Sequence, residues 1–127
     1  MQRRCDCAKP TVLIVDDDRR LRETISELLA EDGYRVVTAE HGSRALERMR
    51  GEHICMVLLD LMMPTKSGWQ VLAELIGDPA IPRVPVGVIS ALVTETPVGT
   101  VGVLQKPFDL DRLLTLVHTH AGVPAHH

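Results

Sequence analysis

Five short apolar runs recur along the chain, and helix-length amphipathic stretches lie between most of them. The runs are Thr11–Val15 (TVLIV), Arg35–Ala39 (RVVTA), residues 54–59 (ICMVLL), residues 84–89 and residues 101–105. Between the first two, Leu21, Ile25, Leu28 and Leu29 recur at helical spacing on one face, and Gly33 stops them. Ala45, Leu46 and Met49 mark a second helix closed by Gly51. Val71, Leu72, Leu75 and Ile76 mark a third, ended by Gly77 and Pro79. Leu110, Leu113, Leu114 and Val117 form a last helical face, with Asp109 placed as its N-cap. Strands that are apolar without alternation are buried on both faces, so alternating strands and helices of this kind build a parallel sheet with helices on each side.

Right-handed crossovers and five strands then favour an α/β, flavodoxin-like, doubly wound sheet in the order 2-1-3-4-5. The 127 residues accommodate one domain, expected over residues 10–120. Flexible tails are expected at 1–9 and 121–127. With a single Trp, Tyr and Phe the core must be aliphatic, and aromatic platforms for stacking bases are lacking. The net charge of −3 further argues against direct nucleic-acid binding. Arg19, Arg20 and Arg22 read as part of a solvated surface. No apolar run approaches the ~18 residues of a membrane span, and MQRRCDCAKP has no apolar segment of a secretory signal. Cys5, Cys7 and Cys55 are too irregular for a disulfide framework. Cys55 reads as a small buried hydrophobe and the other two as a reduced tail, which gives a cytoplasmic expectation.

In such a sheet, ligands bind beyond the C-terminal ends of the strands. Asp16, Asp17 and Asp18 follow the first run, Asp60 the third, Ser90 the fourth and Lys106 the fifth. One aspartate after a strand is ordinarily a helix cap, and Asp17 or Asp18 could cap the first helix. Polar residues at four strand ends facing one edge are a different matter. Clustered carboxylates repel one another and invite a hard divalent cation with oxygen ligands, Mg²⁺ first of all. A lysine ammonium and a serine hydroxyl suit phosphoryl oxygens. A carboxylate among them can attack phosphorus and form an acyl phosphate.

The stretches VLIVDDD (12–18), VLLDLMMPTKSG (57–68), VISA (88–91) and QKPF (105–108) together resemble the receiver domain of two-component response regulators, over about residues 10–120. The resemblance implies that Asp60 is the phosphoacceptor. It implies Mg²⁺ held by Asp16, Asp17, Asp60 and the backbone carbonyl of Met62, with Ser90 as switch hydroxyl and Lys106 as phosphate contact. It implies a cis peptide between Lys106 and Pro107, and a loop carrying Pro64 ahead of a helix opened by Gly68. It also implies a histidine kinase or phosphotransfer protein as donor and a downstream protein target. The expected unit is a stand-alone regulator whose output is an altered protein–protein contact, not an enzyme that turns over substrate. A phosphatase of the Asp-nucleophile type would want an acid two residues after the nucleophile, and Met62 stands there.

Two departures from the family bear on output. Only 16 positions separate Ser90 from Lys106, and the intervening ALVTETPVGTVG shows no helical period. The helix usually found there, the fourth in the family, is expected to be short or absent. Val103 stands three residues before the lysine, where receivers commonly carry a Tyr or Phe that rotates with the switch hydroxyl. These departures keep an alternative open: a docking module of receiver fold that works without phosphorylation. Met62 and Leu92, two residues after Asp60 and Ser90, occupy positions that tune water access in the family. Both are bulky and apolar, so slow self-dephosphorylation is expected. Trp69, next to Gly68, would report binding by fluorescence or be merely a half-packed ring.

Overall fold

A computed structural model describes residues 9–63, 68–91 and 96–124. The elements are β1 (Thr11–Val15), α1 (Arg19–Glu31), β2 (Arg35–Ala39), α2 (Gly42–Gly51), β3 (Met56–Asp60), α3 (Gly68–Gly77), β4 (Val86–Ser90), β5 (Gly102–Gln105) and α4 (Leu110–Ala121). All strands run parallel, in the order β2-β1-β3-β4-β5. Among the described residues no helix lies between β4 and β5, in keeping with the short crossover; residues 92–95 lie outside the described set. Most of the expected tails also lies outside it, as do Pro64 and Leu92.

Strand periodicity divides the core in two. Leu13 and Val15 of β1, Val57 and Leu59 of β3, and Val86 and Val88 of β4 point to one face, where Ala45, Leu46 and Met49 of α2 and Val71, Leu72 and Leu75 of α3 cover them. Val12, Ile14, Met56, Leu58 and Ile89 point to the other, under Ile25 and Leu29 of α1 and Leu113 and Val117 of α4. Every residue of β1, β3 and β4 is buried, which is why these strands read as unbroken apolar runs.

Three strands begin later than the sequence suggests, β5 by only one residue. β4 starts at Val86 because Pro85 has no N–H to give the ladder; its carbonyl still accepts from Val57 N–H at 3.0 Å. β3 starts at Met56, although Cys55 N–H already donates to Thr11 carbonyl at 2.8 Å. Cys55 is buried as expected, but it is disulfide-bonded and so is not the free small hydrophobe of the sequence reading. Cys5 and Cys7 lie outside the described residues.

Caps set the helix entries. Asp18 caps α1, its carboxylate accepting from Arg20 N–H at 3.0 Å and Leu21 N–H at 3.3 Å. Asp109 caps α4, accepting from Asp111 N–H at 3.0 Å. At its far end α4 is tied to the end of α1 and the turn that follows. His118 pairs with Asp32, the Tyr34 ring stacks on His118, and the Tyr34 hydroxyl donates to Gly122 carbonyl. Burial, with the nearby Asp32 charge, pushes the Tyr34 phenol above its usual range, so it stays a hydrogen-bond donor.

Candidate functional site

Strand register carries the polar residues to one edge in a staircase. Val15 is level with Leu59, so Asp16 follows β1 where Asp60 ends β3. Asp60 is level with Ile89, so Ser90 stands one step beyond it at the end of β4. Ser90 is level with Gln105, so Lys106 comes one step further again. Lys106 N–H donates to Ser90 carbonyl at 2.8 Å, and the Lys106–Pro107 peptide is cis, as expected.

The site is largely enclosed: Asp16, Asp60 and Ser90 are buried, whereas Asp17 is exposed at the mouth. Carboxylate oxygens of Asp16, Asp17 and Asp60 lie within 4.8 Å of one another. The Lys106 ammonium stands 3.1 Å from Asp16 Oδ2 and 3.5 Å from Asp60 Oδ2. Asp60 Oδ1 accepts the Met62 N–H at 2.9 Å. One oxygen of Asp60 is therefore held by backbone and the other faces the ammonium. Asp16 Oδ1 accepts the Asp18 N–H at 2.9 Å, closing a tight turn between β1 and α1.

The electrostatics follow from that crowding. Burial, reinforced by the Asp60 charge, raises the Asp16 carboxyl to about 6, against the opposing pull of the Asp18 N–H and Lys106. For Lys106 burial works downward, but the two carboxylates outweigh it and hold the ammonium above its usual pKa. A single lysine thus leaves a buried excess of negative charge. All three donors are hard oxygens and one of them is open to solvent. Opposite ligands of a six-coordinate Mg²⁺ stand ~4.2 Å apart, so these carboxylates need little movement to fit such an ion.

The raised Asp16 pKa implies a stability effect of definite sign. The folded protein binds the proton more tightly than the unfolded chain, so this contribution is present below about pH 4 and is lost as pH rises through 6. Without divalent cations, Asp16→Asn is expected to be more stable than the wild type at pH 7 by about 2 kcal/mol. The difference should shrink toward zero near pH 4. Urea unfolding in chelator at the two pH values checks this; equal stability at pH 7 would refute the charge-crowding account.

Of the residues singled out from the sequence, Asp16, Asp17, Asp60 and Lys106 converge, and Ser90 lies buried on the adjoining strand. The Met62 backbone turns back onto Asp60, while its side chain is half exposed. Trp69 is half exposed at the start of α3, the half-packed state weighed above. Val103 lies half buried against the α2–α3 face of the core, level with Val88. Arg22 was missed. It does not belong to a purely solvated patch, because its guanidinium donates to the Asp16 carbonyl at 2.7 Å.

Comparison with known proteins agrees with this fold. The family model described as the response regulator receiver domain matches residues 12–118. "Response regulator RR06" of Streptococcus pneumoniae is 42% identical over 85 residues, covering 67% of this chain and 38% of the relative. The "Transcriptional regulatory protein GlrR" of Escherichia coli is 37% identical over 106 residues, covering 80% of this chain and 24% of the relative. The chain thus spans well under half the length of these two curated relatives. Among solved structures, the Vibrio cholerae chemotaxis protein CheY4 superposes with a TM-score of 0.78 at 26% identity, covering 88% of this chain and 98% of that one. The receiver domain of the Francisella response regulator 1452 gives a TM-score of 0.79 at 30% identity, covering 87% and 95%.

Proposed function

The chain belongs to the response regulator receiver domain family, and from that membership we infer that it accepts a phosphoryl group on Asp60 from a histidine kinase or phosphotransfer protein. The observation that carries this reading is the enclosed pairing of the Asp60 carboxylate with the Lys106 ammonium beside two further acids. Asp60 Oδ2 is the nucleophile. It attacks the donor's phosphorus, the bond to the donor nitrogen breaks, and an acyl phosphate results. Lys106 pairs with the incoming phosphoryl oxygens, and Ser90 offers its hydroxyl to the same group. Asp16, Asp17, Asp60 and the Met62 carbonyl would hold Mg²⁺, which would supply positive charge against the repulsion between carboxylate and phosphoryl group. The phosphoryl group stays on the protein, so the chain acts as a signalling acceptor and not as a turnover enzyme. Output passes as a changed protein–protein contact, without direct nucleic-acid contact. Among the described residues no helix is long and apolar enough to cross a membrane.

Incubation with a small phosphodonor and Mg²⁺, read by intact mass, tests the reading. One added phosphoryl group is expected with Mg²⁺ and none in chelator. Lack of any adduct favours the second reading, phosphorylation-independent docking. The short Ser90–Lys106 segment, with Val103 in the aromatic position, is what supports that alternative.

Lifetime is a further expectation. The half-exposed Met62 side chain offers no group to orient an attacking water. Met62→Asn is expected to shorten the acyl phosphate lifetime by about tenfold, since positioned polar groups of this kind assist water attack. Phosphate release from the two phosphorylated proteins measures it, and equal lifetimes would exclude a shielding role for Met62.

A further inference from the structure

The turn that carries the acids is gripped twice by one residue of α1, once by its backbone and once by its side chain. Arg22 lies one turn into that helix, and its backbone N–H donates to Asp18 carbonyl at 3.0 Å as part of the helix. Its guanidinium folds back past the helix start, where Nη1 donates to Asp16 carbonyl at 2.7 Å. That carbonyl belongs to the peptide unit joining Asp16 to Asp17. Several other groups of the turn are engaged elsewhere: Asp16 N–H with Ala39 carbonyl, Asp16 carboxylate with Asp18 N–H and Lys106, and Asp18 carboxylate with the first N–H groups of α1. Arg22 is therefore the side chain that fixes the rotation of the peptide unit from which Asp17 projects.

Asp17 is the exposed member of the acid set, and among the described residues no side-chain hydrogen bond holds its carboxylate. Where it points depends on the two peptide units flanking it. We propose that Arg22 is a positioning residue for divalent-cation binding, acting through the Asp16 carbonyl to hold Asp17 at the acid cluster. The proposal rests on the phosphoacceptor reading above. A guanidinium suits the task because it is planar, always charged, weakly hydrated and tolerant of partial burial, and Arg22 is half buried. Arg19 offers a contrast on the same turn of helix. It is exposed and pairs with Glu23, with no tie to the acids.

The test is calorimetric titration of the full chain with Mg²⁺, alongside thermal unfolding in chelator, for wild type, Arg22→Gln, Arg22→Lys and Arg19→Gln. Arg22→Gln removes the charge and the reach to the carbonyl, and is expected to weaken Mg²⁺ binding about tenfold, near the lower end of what a hydrogen bond from a charged group is worth. Arg22→Lys keeps the charge without the planar fork and is expected to fall between it and wild type. Arg19→Gln is expected to bind as wild type does. A folded Arg22→Gln that binds Mg²⁺ as tightly as wild type, or more tightly, overturns the proposal even if its melting temperature drops, because the arginine would then serve stability alone. Should Arg22→Gln fail to fold, wild-type affinity in Arg22→Lys overturns it equally. A wild type that binds no Mg²⁺ removes the phosphoacceptor reading and this inference together, whereas a binding wild type with unaffected Arg22 variants removes the inference only.

Discussion

Asp60→Asn is expected to take up no phosphoryl group from a small phosphodonor under conditions that load the wild type fully. The amide has the shape of the carboxylate but lacks its anionic oxygens, so the nucleophile is lost while its surroundings stay in place. The Met62 N–H, which now donates to Asp60 Oδ1 at 2.9 Å, can donate to an amide oxygen in the same position. Loss of a covalent nucleophile costs at least about 10³-fold in rate. Intact mass over time gives the readout, and an unchanged far-ultraviolet circular dichroism spectrum shows that folding is intact. Uptake at the wild-type rate would place the acceptor on another residue. The same variant removes one of the repelling charges beside Asp16, so its metal-free form should unfold at a higher temperature than wild type even though its chemistry is gone.

Gly68→Ala is expected to be strongly destabilising. A Cβ at Gly68 would stand 2.2 Å from Leu61 Cα and 2.3 Å from Asp60 carbonyl oxygen. Both are backbone atoms, so no rotamer change can clear them. Either α3 backs away from the end of β3 or the Asp60–Leu61 backbone moves, and Gly68 N–H loses its 3.1 Å bond to Leu61 carbonyl. The expected cost is about 4 kcal/mol, the range reserved for severe overpacking. Gly51→Ala and Gly77→Ala are the matched controls, since nothing lies within 4 Å of a Cβ at either position. Each should be neutral or slightly stabilising, by about 0.5 kcal/mol. Urea unfolding of the three variants separates the cases; a Gly68→Ala protein within 1 kcal/mol of wild type would contradict the packing described here.

Much of the fold could be read from the chain because the sheet is buried on both faces. β1, β3 and β4 have no solvent side, so their apolar runs stand out, and the first polar residue after each run falls at the ligand-binding edge. That is why Asp16, Asp60, Ser90 and Lys106 could be named together. The starts of β3 and β4 were less legible. Cys55 and Val84 are as apolar as the strands they precede, and Pro85 delays the ladder through a missing N–H that hydrophobicity does not register. Arg22 escaped notice for a related reason. It lies next to Leu21, off the apolar stripe of α1, and its bond to Asp16 carbonyl joins a helix to a turn six residues back. Nor could the disulfide state of Cys55 be read from the irregular spacing of three cysteines.

The staircase of register has a consequence for how the chain finds its native pairing. A strand slipped by one residue turns every side chain to the opposite face. In the parallel ladders from β1 to β5, such a slip would separate Asp16 from Asp60, or Lys106 from both. A cation gathered by the acids would bind only the correctly paired sheet, and would deepen that state alone by RT ln(1 + [L]/Kd). The acidic edge of the sheet would then also serve as an error check on assembly, favouring the one alignment in which the four strands agree.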